Sequence, residues 1–120
     1  MFYNISNHPS ADWSKEQTEA AGGKIVDVPF PAVDPKWSSS DVRMQAMALY
    51  YSLPKGGDNT YLVQGEFSFT YALTSMLVDA GFNVVVATSK REAIETKIDD
   101  GTTKKFSVFN FVQFRQLRHP

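Results

Sequence analysis

The chain has no cysteine, and that one absence removes disulfide bridges, thiolate nucleophiles and every thiolate metal site. Histidine is scarce as well: His8 and His119 stand at opposite ends of the sequence, so a structural zinc site is not expected. No run approaches the ~18 apolar residues of a membrane span, and the start, MFYNISNHPS, lacks the basic stretch and apolar core of a secretory leader. The expectation is a soluble, cytoplasmic protein without membrane contact. An excess of charge of either sign is also missing, since 12 Lys and Arg face 13 Asp and Glu, for a net charge of -1. Such a balance gives no broad basic face for duplex nucleic acid, and any phosphate site must be local. Neither GxGxxG nor GxxxxGK(S/T) occurs, which removes the usual dinucleotide fingerprint and the P-loop. Neither a cofactor nor a metal is expected.

What remains is the composition of a packed domain: 42% hydrophobic, 21% charged and rich in aromatics, with nine Phe, five Tyr and two Trp. At 120 residues the chain makes one domain, 1–120, with one site per subunit. FYNIS (2–6) reads as a short strand, followed by a helix from Ser10 or Asp12 that stops at Gly22-Gly23. KIVDVPF (24–30) is a second strand. SSSDVRMQAMALYYSL (38–53) is a helix, with Val42, Ala46, Leu49, Tyr50 and Leu53 on one face, Ser or Asp caps in front and Pro54 behind. TYLVQ (60–64) has the nearly continuous apolar character of a buried parallel strand. In GEFSFTYALTSMLVDAGF, Phe69, Leu73, Met76 and Leu77 recur at helical spacing before Gly81. FNVVVATS (82–89) is a fourth strand. REAIETKI and KKFSVFNFVQFRQL then flank an Asp-Gly turn, with Phe106, Val108, Val112 and Phe114 on one face and Phe109 and Phe111 on the other.

The order βαβαβαβ predicts a Rossmann-like three-layer α/β fold, with a mostly parallel sheet and a C-terminal antiparallel β-hairpin. Ligands of such sheets bind outside the carboxyl ends of the strands, near the unpaired N–H groups of helix starts. Four loops fall there: SNHPS, PFPAVDP, QGEFSFT and TSKR. In the first, Ser6, Asn7 and Ser10 make a turn and cap around His8, whose imidazole can donate to a phosphate or move a proton near neutral pH. In the third, Gly65 lets backbone approach a ligand, and Glu66, Phe67, Ser68 and Thr70 stand at a helix start; the plainer account is a turn and a cap. In the fourth, Thr88 and Ser89 precede Lys90 and Arg91, whose cationic heads complement phosphate oxygens when they do not simply meet solvent. Asp34 reads as a turn residue, and Lys104-Lys105 as a solvated strand start.

S-N-H-P-S with Trp13 and Gln17 behind it, D-V-P-F-P-A-V-D-P (27–35), G-E-F-S-F-T-Y-A-L (65–73) and F-V-Q-F-R (111–115) span nearly the whole chain. In these segments the chain resembles the small stand-alone proteins, CARF-like and of the ring nuclease type, encoded near type III CRISPR and related antiviral systems. The resemblance implies a homodimer that holds a cyclic oligonucleotide second messenger of the cyclic oligoadenylate class over the loop rim. It also implies metal-independent scission to a 2′,3′-cyclic phosphate. His8 would then move the proton, Lys90, Arg91 and the helix start at Gly65 to Phe67 would stabilise the developing charge, and Ser10 and Ser68 would orient phosphates. Two alternatives stay open: a non-catalytic sponge or sensor of the same messenger, and an interaction module working through the aromatic hairpin.

Overall fold

The computed structural model describes all residues, 1–120. Its elements are β1 (Phe2–Ser6), a 3₁₀ turn (Ser10–Asp12), α1 (Lys15–Ala21), β2 (Ile25–Pro29), α2 (Ser39–Ser52), β3 (Thr60–Gln64), α3 (Phe67–Asp79), β4 (Asn83–Lys97) and β5 (Thr103–Gln116). They form an α/β fold around one mixed five-stranded sheet in the order β2-β1-β3-β4-β5. The pairs β1–β2, β1–β3 and β3–β4 are parallel, and β4–β5 is antiparallel. The chain steps outward from β1 to β2 and then returns to β3 on the other side of β1, which places a topological switch point between β1 and β3. None of the helices is long and apolar enough to cross a membrane.

Alternation along the strands divides the core into two layers. Tyr3, Ile5, Tyr61, Val63 and Val84 face α2 and α3, which contribute Val42, Ala46, Phe69, Leu73 and Leu77. Phe2, Leu62 and Val85 face the other way and pack under Trp13, just ahead of α1. Local signals set the helix ends. Ser38 and Asp41 form a reciprocal capping box on α2, and Ser14 accepts from Gln17 N–H at the start of α1. The predicted helix from Ser10 or Asp12 is therefore split into a 3₁₀ turn and a later α-helix, because Ser14 supplies the cap.

The largest departure from the sequence reading lies after Ala87. TSKR is not a loop: β4 runs straight through it for 15 residues and pairs with β5 as far as Lys97↔Thr103. No Gly or Pro stands between Gly81 and Gly101, so nothing breaks the extended backbone. From Ser89 outward, β3 is no longer alongside, and the two strands project as a ribbon of nine residues per strand, about 30 Å at 3.4 Å per residue. The radius of gyration is accordingly 17.3 Å, where a compact chain of this length would have about 14 Å. A register irregularity between Thr88 and Ser89 leaves Val112 as the extra residue of a β-bulge. The bulge inverts the alternation, so Phe111 and Phe114 share a face, with ring centroids 4.9 Å apart, rather than pointing oppositely as simple period-two reading predicts. Phe114 also packs 5.0 Å from Phe2 and 5.9 Å from Trp13, which anchors the base of the ribbon on the α1 layer.

Body and ribbon should respond differently to truncation. Leu73→Ala, fully buried, is expected to cost about 2–5 kcal/mol in urea unfolding, whereas Phe106→Ala on the exposed ribbon should change the same measurement by less than about 0.5 kcal/mol.

Candidate functional site

Asn4 is the one fully buried polar side chain on the α1 face of the sheet, at 1% exposure. Its amide nitrogen donates to the His8 carbonyl at 2.9 Å and to Asp27 Oδ1 at 2.9 Å, and its oxygen accepts from Ser6 Oγ at 2.6 Å. The His8 carbonyl also accepts from Trp13 Nε1 at 3.0 Å, and His8 N–H donates to Ser6 Oγ at 3.2 Å. Asp27 in turn accepts from Ser10 through both N–H and Oγ. Residues 4 to 13 and the end of β2 are thus one hydrogen-bonded unit. Burial works to raise the Asp27 carboxyl, but the hydrogen bonds from Asn4 and Ser10 outweigh it and hold the group below its ordinary value. The backbone of His8 is fixed while its imidazole stays exposed.

Beside this unit, at the carboxyl ends of β1, β3 and the sheet portion of β4, lies a cleft of about 470 Å³. Ser6, Asn7 and His8 line one side, Gln64 and Gly65 another, and Ala87, Thr88 and Ser89 a third. Phe109 and Phe111 descend from the ribbon to close it, and Gln17 reaches in from α1. Six of the expected site residues therefore meet: Ser6, Asn7, His8, Gly65, Thr88 and Ser89. Ser10 is turned to Asp27. Lys90 and Arg91 sit farther out, paired with Asn110 and Phe109. Because Arg91 shares a face with Phe109, it lies on the cleft side one step beyond the lining, while alternation sends Lys90 to the opposite side of the ribbon.

The start of α3 does not offer its N–H groups to a ligand. The Glu66 carboxylate accepts from Ser68 N–H at 3.0 Å and Phe69 N–H at 2.9 Å, and Ser68 Oγ also donates to it at 2.7 Å. The hydrogen bond from Phe69 N–H, followed by those from Ser68, holds the Glu66 carboxyl below its ordinary value. Phe67 is 82% exposed and points to the α2–α3 side, away from the cleft. Gly65 answers to packing more than to a ligand: a Cβ there would stand 2.5 Å from Cε2 and Cζ of the Phe30 ring. With Glu66 and Asp27 in the anion seats of the rim, and no Lys or Arg in the lining, the cleft is walled by amides, hydroxyls and aromatic rings.

Gln17, Phe109 and Phe111 line the cleft although the sequence reading did not place them among the site residues. Gln17 is 6% exposed, and its side-chain amide makes no hydrogen bond to the protein and lines the cleft, while its backbone N–H donates to Ser14 Oγ. A glutamine on the buried stripe of a short helix was the available signal. The Gln64 amide, by contrast, is fully engaged, donating to Ala87 O at 3.3 Å and accepting from Ala87 N–H at 2.9 Å, so that it continues the ladder where β3 ends. No three of the His, Asp and Glu side chains gather into a metal-binding group.

Residues 1–115 match the family described as Uncharacterized protein MJ1673 family, and the chain belongs to that family. No curated protein and no solved structure matches it.

Two outcomes follow from this geometry. Gly65→Ala must displace the Phe30 ring from its edge-on contact with Phe69 and should cost about 1–3 kcal/mol by urea denaturation. For Asp27, whose carboxyl lies below its usual 3.8 in the folded protein, the stability carried by the carboxylate is complete above the unfolded-state value and is lost as pH falls through the lower folded one. The stability gap between wild type and Asp27→Asn should stay level from pH 7 to about pH 5 and close below it; a gap still full at pH 2 would show that the carboxylate form is not what holds the loop.

Proposed function

We propose that the cleft binds a cyclic oligonucleotide second messenger of the cyclic oligoadenylate class, base first, and that the protein acts as its sponge or sensor. The observation that carries this reading is the meeting of Gln17, Asn7 and His8 with Phe109 and Phe111 around one cleft at the carboxyl rim. Amides can read the donor and acceptor edge of a base, and aromatic rings stack on its face, which is the usual chemistry for unpaired nucleotides. At about 470 Å³ the cleft is at the lower end of small-ligand sites, room for a nucleotide rather than a whole ring. One base would therefore enter the cleft while the rest of the ring stays outside it, its phosphates on the Arg91 side of the ribbon. The sheet order with its switch point supports a Rossmann-like reading of the body, and a cytoplasmic setting belongs to the same proposal.

Scission is the second reading, favoured by the pinning of His8. In it, the ribose 2′-OH loses its proton to His8 as its oxygen attacks the adjacent phosphorus, the P–O5′ bond breaks, and the departing oxygen takes a proton from water. The lining lacks a cation to stabilise the phosphorane, so binding is the stronger reading.

A thermal-shift panel of cyclic tri-, tetra- and hexa-adenylate tests the proposal. A ligand at 100 times its Kd is expected to add about 2.7 kcal/mol of stability, and Gln17→Leu or Phe109→Ala should each weaken binding about tenfold or more. Incubation with EDTA followed by chromatography separates the two readings: intact ring supports the sponge, and linear product that is lost in His8→Ala supports scission. No shift with any member of the panel overturns both.

A further inference from the structure

The ribbon leaves the body with two open edges. Beyond Gln64 nothing pairs with the β3-side edge of β4, and β5 is the last strand of the sheet. A lone two-stranded ribbon is marginal in water, and an uncovered edge is a template for another strand. This ribbon also exposes Ile98, Phe106 and Phe109. The charges of the two edges decide what can cover them. Strand β5, TKKFSVFNFVQFRQ, carries Lys104, Lys105 and Arg115 and no acid, so it can form no opposite-charge pair with its own copy. Strand β4 carries both signs, in Lys90, Arg91, Glu92, Glu95 and Lys97.

Two antiparallel copies related by a two-fold axis must pair so that one residue faces itself, because only then do opposed side chains point to the same face. Placing Glu92 or Glu95 on the axis opposes two carboxylates and gives no opposite-charge pair within the strand; placing Arg91 there sets Lys90 against Glu92 twice but opposes two guanidiniums and pairs only residues 89–93 of the free edge. Placing Ile94 there opposes Arg91 to Lys97 twice. Ala93 on the axis opposes Arg91 to Glu95 twice, seats a small side chain at the centre and pairs the whole free edge from Ser89 to Lys97.

We propose that the protein is a homodimer built by antiparallel pairing of the outer β4 edges about a two-fold axis at Ala93, which joins two five-stranded sheets into one of ten strands. The pairing runs each ribbon back to the other copy's rim. Lys97 of the second copy then stands opposite Ser89, on the face that carries Phe109 and the cleft, and supplies a cation that the lining itself lacks. The two bodies lie at opposite ends of the paired ribbons.

The absence of cysteine makes the register directly testable. Residues facing one another in an antiparallel pair have Cα atoms about 4.5–5.5 Å apart, within disulfide range. Ala93→Cys is expected to cross-link to a covalent dimer under mild oxidation, faster than Glu92→Cys, Ile94→Cys or Asn110→Cys. Sedimentation equilibrium gives the second measure. Arg91→Glu should weaken dimerisation about thirtyfold, because each dimer exchanges two attractive pairs for two repulsive ones, and R91E/E95R should restore it. That rescue is specific to the interface, since within one ribbon the double variant still sets Arg at 95 against Lys105, the present partner of Glu95 at 3.2 Å. Circular dichroism checks that each variant is folded. A monomeric wild type, faster cross-linking at any of the other three positions, or a double variant no better than Arg91→Glu overturns the proposal.

Discussion

The buried amide of Asn4 is the constraint on which the rim depends. An unpartnered amide at this depth would cost several kcal/mol, and each bond that satisfies it joins a different piece of chain: the His8 carbonyl, the Asp27 carboxylate and the Ser6 hydroxyl. One side chain in the central β1 strand thereby holds the first loop, ties it to the end of β2 and orients the hydroxyl that accepts from His8 N–H. Trp13 completes the arrangement, since its indole N–H reaches the same carbonyl while its ring packs on Phe2 and Phe114. The polar unit of the rim and the aromatic anchor of the ribbon share this residue. Placement of His8 and placement of Phe111 are consequently two results of one packing problem.

The same economy explains why the rim is neutral. A helix start or a tight loop leaves N–H groups that seek an anion, and in this chain two carboxylates from the chain itself fill those seats. Glu66 occupies the start of α3 and Asp27 the turn at Ser10. The loops are rigid because their donors are satisfied internally, and for that reason they cannot also cradle a phosphate. What the cleft can still offer is the unpartnered amide of Gln17, the side chains of Asn7 and His8, and two rings. Such a set recognises the edge and face of a planar polar molecule better than it recognises charge.

Much of the body was legible because its signals are local. The apolar spacing of Phe69, Leu73 and Leu77, the Ser38 cap and the uninterrupted TYLV run each specify one element, and these elements formed within one or two residues of the expected bounds. The convergence of Ser6 to His8 with Gly65 was legible as well, since parallel strands bring their carboxyl ends to one edge. Three features were not. Whether Glu66 faces a ligand or caps its own helix depends on a χ angle that no pattern encodes. Phe30 and Gly65 are 35 positions apart, so their close approach has no local trace. At TSKR, polar composition suggested a loop, whereas the backbone had no Gly or Pro to turn on and took the extended path.

That path creates a problem of edges which the chain answers twice. Where β3 ends, the Gln64 amide substitutes for a further residue of backbone and pairs both polar groups of Ala87, so the ladder is carried one rung past the strand. Beyond it no such substitute exists, and the remaining β4 edge carries charges of both signs instead. Mixed charge keeps an edge soluble and restricts its partners to strands with the complementary sequence of signs. A uniformly basic strand such as β5 repels its own copy in nearly every register that overlaps its charges, whereas the order Arg-Glu-Ala-Ile-Glu tolerates one register and opposes the neighbouring ones. The ribbon is therefore selective by composition: the bulge at Val112 fixes which face meets the cleft, and the signs along β4 fix what can lie against its edge.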